Sequence, residues 1–122
     1  MDFKTDTSVR FDFEDGSGWV KIKPLSPAIM RKIETACVTR KFDKKIKGYE
    51  SKTDLEKQQH MQWDEVIHSW AGVNLDGKEL ECTAENKIRM MDNHVEFTYF
   101  VGTCMEYLNE AIQERDKDQE KN

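Results

Sequence analysis

Three histidines, three cysteines and twenty-four carboxylates are the residues from which this 122-residue chain could build a reactive site. His60 and His68 fall on one expected helix but eight residues apart, whereas a helical zinc pair needs the i, i+4 spacing that puts both imidazoles on one face. Cys82 and His94 could supply two ligands, but nothing else in the sequence completes a coordination shell. Nucleophilic catalysis would join a cysteine or serine to a histidine and an orienting carboxylate. Those types are present, yet no strained glycine elbow presents a nucleophile. Gly16-Ser17-Gly18 joins two extended runs and does not open a helix, so it is a poor phosphate cradle. Carboxylate pairs such as Asp64-Glu65 or Asp12 with Glu14 read as solvated surface in a chain that is 35% charged. The expectation is therefore no catalytic residue, no cofactor and no metal.

Cys37, Cys82 and Cys104 cannot all pair within one chain and none belongs to a C-x-x-C motif; Cys37 and Cys104 lie on apolar helix faces, where a thiol acts as a small hydrophobe. The segment with the most unusual charge is Arg40-Lys41-Phe42-Asp43-Lys44-Lys45-Ile46-Lys47, five positive charges and one negative in a chain of formal net charge −5. With Phe42 and Tyr49 available to stack, it is the best nucleic-acid candidate, although the overall charge opposes general affinity for nucleic acid. The favoured reading is nonetheless a solvated mobile loop over residues 41–52, and a third is a basic loop that steers an acidic helical partner.

The elements that must position these residues follow from periodicity. Val9, Phe11 and Phe13 alternate with charged residues, as do Val20 and Ile22 after the glycine turn, predicting an N-terminal β-hairpin with Trp19 on the opposite face and partly exposed. Ser26-Pro27 places an N-cap and a proline at the first helical position of a helix reaching about Arg40 with Ile29, Ile33, Ala36 and Cys37 inward. Thr53-Asp54-Leu55-Glu56 reads as a capping box opening a helix that closes on Gly72, with Trp63 and Trp70 buried on one face. Asp76-Gly77 is a two-residue hairpin turn, Thr83 caps a brief helical turn to about Met91, and Asn93-His94-Val95-Glu96 is a second capping box.

The last helix carries the clearest pattern. Phe97, Val101, Cys104, Leu108 and Ala111 recur at three- and four-residue steps, flanked by Phe100, Met105 and Ile112, with Tyr107 at the edge of the arc and Tyr99 pointing away. The predicted fold is α+β: an N-terminal hairpin, a second short hairpin, three main helices and a brief helical turn. Its expected organisation is a flexible N-terminus over 1–8, one domain over 9–113 and a charged, frayed tail over 114–122. No apolar run is long enough to span a bilayer and Met1–Asp6 lacks the apolar stretch of a signal peptide, so a cytoplasmic protein is expected.

The order of elements has a familiar shape: Trp19-Val20-Lys21-Ile22-Lys23-Pro24-Leu25-Ser26, a helix closing on Trp70, Asp76-Gly77-Lys78, Leu80-Glu81-Cys82-Thr83-Ala84-Glu85-Asn86, and an aromatic-rich final helix. Over residues 10–112 it resembles the small tail assembly chaperones of long-tailed bacteriophages and prophages. The resemblance implies a non-enzymatic protein of a bacterial host's cytoplasm that binds the helical tape-measure protein, with tail-tube subunits as a further partner, during tail assembly. A head–tail joining or minor tail role, or a nucleic-acid accessory role through residues 40–49, is the alternative. Partner contact is expected at the aromatics Trp19, Phe42, Tyr49, Tyr99, Phe100 and Tyr107, with the apolar arc of the last helix as the first choice of groove. Open hairpin edges make a homo-oligomer plausible as well.

Overall fold

The computed structural model describes residues 1–120, with side chains described as far as Glu114. The fold is α+β, as the sequence predicts. The N-terminal hairpin is present as β1 (Val9–Asp12) and β2 (Trp19–Ile22), with Phe11 opposite Val20. Helix α1 (Pro27–Cys37) starts where Ser26 Oγ accepts from the Ile29 N–H at 3.2 Å. The helix ends three residues before Arg40, and the chain enters β3 (Val38–Asp43), which pairs with β4 (Gly48–Thr53). Residues 41–52, expected to be a mobile loop, are therefore a six-residue-per-strand β-ribbon. Its turn is held by Asp43 Oδ1 accepting from the Lys45 N–H at 2.8 Å, an Asx-turn, with Lys47 at φ 52°.

Helix α2 (Leu55–Val66) is capped by Asp54, whose Oδ1 accepts from the Lys57 N–H at 3.1 Å; the capping serves the helix as foreseen but from the residue after Thr53. The larger difference is at its other end. The sequence predicts helix as far as Trp70, but Ile67–Ala71 is strand β5, which pairs antiparallel with β2 and makes a three-stranded sheet in the order β1-β2-β5. The register jumps from Lys21–Ser69 to Ile22–Ile67, so His68 is the extra residue of a bulge. In a regular strand Ile67 and Trp70, three apart, would face opposite ways; the bulge turns both inward. Trp63 and Trp70 accordingly belong to different elements, and the helix-like spacing of Trp63, Val66, Ile67 and Trp70 comes from a helix followed by a bulged strand.

The ends of α1 and α2 lack the usual breakers, so other parts of the molecule take up their last carbonyls. The Ala36 carbonyl accepts from Lys57 Nζ at 3.1 Å and that of Cys37 from the Asp54 N–H at 2.9 Å. At the end of α2, Lys87 Nζ donates to both the carbonyl and the carboxylate of Asp64 at 3.0 Å, and the Lys23 N–H donates to the Val66 carbonyl at 2.8 Å. Lys87 is buried with its charge paired, which a lysine requires.

The second hairpin, β6 (Asn74–Leu75) and β7 (Lys78–Glu79), turns through Asp76 and Gly77 at φ 53° and 79°, the pair of left-handed conformations of a type I′ turn. Thr83 caps α3 (Ala84–Asn93), which runs two residues past the expected end at Met91, by accepting from the Asn86 N–H at 3.2 Å. Asn93 does not cap the final helix α4 (Val95–Glu120): its side-chain amide donates back to the Arg89 carbonyl at 2.9 Å. The tail expected to fray from 114 lies, in its side chains beyond Glu114 and in residues 121–122, outside the described residues.

The core joins Val20, Ile22, Ile67 and Trp70 of the sheet to Val66, Met90, Met91 and the Phe97, Val101, Cys104 and Leu108 row of α4. Trp70 stands edge-on to Phe97 at 5.7 Å and gives its indole N–H to the Leu80 carbonyl at 2.8 Å. At the sheet's open end Gly18 and Gly72 meet backbone to backbone. A methyl on Gly18 would lie 2.8 Å from Gly72 Cα and collide with the Ala71 carbonyl, and Gly72 itself has φ 73°. Gly72→Ala is expected to cost on the order of 3 kcal/mol or more in urea denaturation, since strain and collision combine; Gly77→Ala, at a similar φ in open space, costs only about 1 kcal/mol. A second expectation concerns the end of α2. Lys87→Met keeps the packed aliphatic stem and loses the ammonium, so it lowers stability by about 1–2 kcal/mol in the same assay, whereas a neutral result would show the α2 carbonyl held by other means.

Candidate interaction surfaces

The residues with reactive side chains lie apart from one another. His60 Nε2 is 3.2 Å from Asp92 Oδ2, tying α2 to α3, and the His60 ring stacks at 5.6 Å on Trp63. His68 is exposed on the bulge and its Nδ1 meets Ser69 Oγ at 3.1 Å, while the His94 N–H closes α3 on the Met90 carbonyl. Among the described residues no group of three or more His, Cys, Asp or Glu is arranged to hold a metal ion. Nor, among them, is any helix long and apolar enough to cross a membrane. Burial pushes the Cys104 thiol up to about 11 and raises that of Cys82 as well, the reverse of what an activated thiolate needs.

The six aromatics expected at a partner surface separate into four places. Trp19 sits on the outer face of the sheet, clasped by two cations: the Arg10 guanidinium 5.2 Å from its ring and Lys21 Nζ at 5.7 Å. Both cations come from residues on the same outward side of the pleat, since Arg10 pairs with Lys21 and Asp12 with Trp19. Phe100 packs against the core and lies 5.0 Å from the Phe13 ring, so it covers the sheet's edge and presents little surface.

Phe42 and Tyr49 are directly opposite on the β3–β4 ribbon, edge to face at 5.5 Å, and both are exposed. Strand parity puts Arg40 on their side, its guanidinium 5.9 Å from the Tyr49 ring. Among the described residues the ribbon pairs with no third strand, so its backbone edges are open. Over residues 38–53 it carries six Lys or Arg against Asp43 and Glu50, leaving thirteen basic and twenty-two acidic residues elsewhere. At the tip Ile46 is exposed between lysines, a bulky apolar residue with no local structural duty. Sequence reading placed Ile46 in the basic run but not among the contact residues; its position in a polar turn was the available signal.

The fourth place is α4. The apolar arc favoured as a binding groove is core: Phe97, Val101, Cys104 and Leu108 are buried against the sheet and α3. The opposite side carries a second row at four-residue steps, Val95, Tyr99, Thr103 and Tyr107, in which the three apolar or aromatic members are 84%, 76% and 64% exposed. Tyr107 also touches Phe11 edge-on at 6.0 Å, joining this row to the first strand. Exposed glutamates Glu96, Glu106 and Glu110 flank it. Val95 was missed because it lies inside an apparent capping box, where an apolar residue reads as part of the helix start.

Comparison with protein-family models, with curated proteins and with solved structures finds no match to this chain.

The raised Cys104 pKa has a consequence for alkaline stability. An unfolded thiol ionises near 9 while the folded one keeps its proton to about 11, so folding stability is whole below pH 9 and falls as pH rises through that interval. Cys104→Val, which cannot ionise, is expected to flatten this part of the pH–stability curve measured by urea midpoint; an unchanged slope would assign it to other groups.

Proposed function

We propose that this chain is a non-enzymatic tail assembly chaperone of the long-tailed phage type, working in the bacterial cytoplasm to hold a helix-prone tape-measure protein soluble while tail-tube subunits gather. Two things support the reading. One is the sequence likeness over residues 10–112 that runs through residues 19–26, Asp76-Gly77-Lys78 and residues 80–86. The other, which carries it, is the solvent-facing Val95, Tyr99 and Tyr107 row on a helix whose other side is fully used by the core.

At ~1.5 Å per residue α4 is about 39 Å long, enough to lie beside several turns of a partner helix. Residues four apart form a ridge that packs into the groove of a neighbouring helix, and tyrosines offer large contact area at low entropic cost. The flanking glutamates favour a partner with basic residues beside its apolar seam. Holding such a helix is a matter of mass action: a binder of the unassembled chain lowers its free concentration and so its rate of aggregation, and tail-tube subunits release it by competing for the same surface.

Val95→Glu with Tyr99→Glu tests the reading with little risk to the fold, because both residues are exposed and Val95, the first residue of α4, lies where an acidic group suits the helix dipole. On co-expression with the tape-measure protein of a long-tailed phage tail cluster, the double variant is expected to reduce the soluble tape-measure fraction by about tenfold. Its own circular dichroism should match the parent's. Equal solubility with parent and variant would overturn the assignment to this row.

A further inference from the structure

We infer that the β3–β4 ribbon docks onto a second copy of this chain, its tip entering the groove between α2 and α3 of the neighbour. The ribbon is a structure in want of a partner: two strands with both edges open, aromatic rings on one face, and stability that a lone hairpin in water barely sustains. Its charge identifies the partner. The ribbon has four more positive than negative charges, the rest of the chain nine more negative than positive, so the nearest complementary surface is the protein's own.

The groove matches the tip in two respects. It offers about 520 Å³ between α2 and α3, lined by the carboxylates Asp54, Glu56 and Asp64, by Lys57 and His60, and by the apolar Met61, Ala84 and Ile88. The tip brings Lys44, Lys45 and Lys47 around the exposed Ile46. The tip lysines would meet Glu56, since Asp54 caps α2 and Asp64 pairs with Lys87, while the Lys57 ammonium is turned to the Ala36 carbonyl and isoleucine meets the apolar lining.

Distance excludes the intramolecular version. The groove begins at Asp54, the residue after the ribbon's last, Thr53, and so lies at the ribbon's base. Six residues at ~3.3 Å each put the tip about 20 Å away, and a paired ribbon cannot fold back on itself. Two copies with ribbons side by side and opposite in direction bring each tip to the other's base. The same contact is then made twice and the assembly closes at two chains. This contact uses neither Val95 nor Tyr99, so it stands or falls separately from the chaperone reading.

Sedimentation velocity on the full chain tests it. The expected mass is twice the 14.4 kDa of one chain at low salt, shifting toward one chain as salt rises past the ~0.1 M at which charges ~10 Å apart are screened. The triple variant Lys44→Glu, Lys45→Glu, Lys47→Glu and the single variant Glu56→Lys should each sediment as monomers with unchanged circular dichroism. Mixed together they should regain the dimer mass, because reversed tip meets reversed groove and native tip meets native groove. A monomeric parent at low salt, a triple variant that still dimerises, or a mixture that stays monomeric overturns the proposal. So does a monomeric parent whose ribbon binds a fluorescein-labelled single-stranded oligonucleotide in a salt-dependent way lost in the triple variant, which would make the occupant nucleic acid.

Discussion

The fold depends on two helices being made to stop. Neither α1 nor α2 ends on glycine or proline, and each passes within one residue into extended chain: Val38 at ψ 125° and Ile67 at ψ 100°. A helix end leaves carbonyls without partners, and such groups are costly to bury unpaired. Here the donors arrive from distant sequence: Lys57 and Asp54 for α1, Lys87 and Lys23 for α2. Because the α2 end is also the start of β5, these bonds decide whether the sheet has two strands or three, and whether Trp70 reaches the core.

This explains which parts of the architecture were legible in the amino-acid sequence. Turns and caps that act through their own side chains were readable: Ser26, Asp76-Gly77 and Thr83 each do what their type favours. The helix-to-strand switches were not, because what ends each helix is a lysine or an amide that no local window contains. The bulge at His68 compounded the difficulty. It imposes a three-residue step between Ile67 and Trp70, so a strand takes on the spacing of a helix. The ribbon over 38–53 was hidden for another reason. With both faces in solvent it has no apolar alternation, and its pairing is set by the Asp43 turn and by the junctions at its base.

For the surfaces, the sequence named aromatics that the fold sets in separate places. Phe42 and Tyr49 meet across the ribbon, and Tyr99 and Tyr107 lie exposed on one row of α4. Phe100 is drawn inward by Phe13, and Trp19 is already occupied by Arg10 and Lys21. The α4 arc was misassigned because amphipathic strength alone does not say whether the apolar side is already covered. Three-dimensional packing settled that by spending the stronger stripe on the sheet, leaving a weaker, tyrosine-bearing one in water.

The base of the ribbon has one further implication. The Asp54 N–H bonds the Cys37 carbonyl, so the last residue of α1 and the cap of α2 are already joined across the sixteen residues between them. The domain therefore closes beneath the ribbon as though the ribbon were an insertion. Changes in the length or charge of that appendage would leave the packing of the interior as it is, because the junction beneath it is already closed.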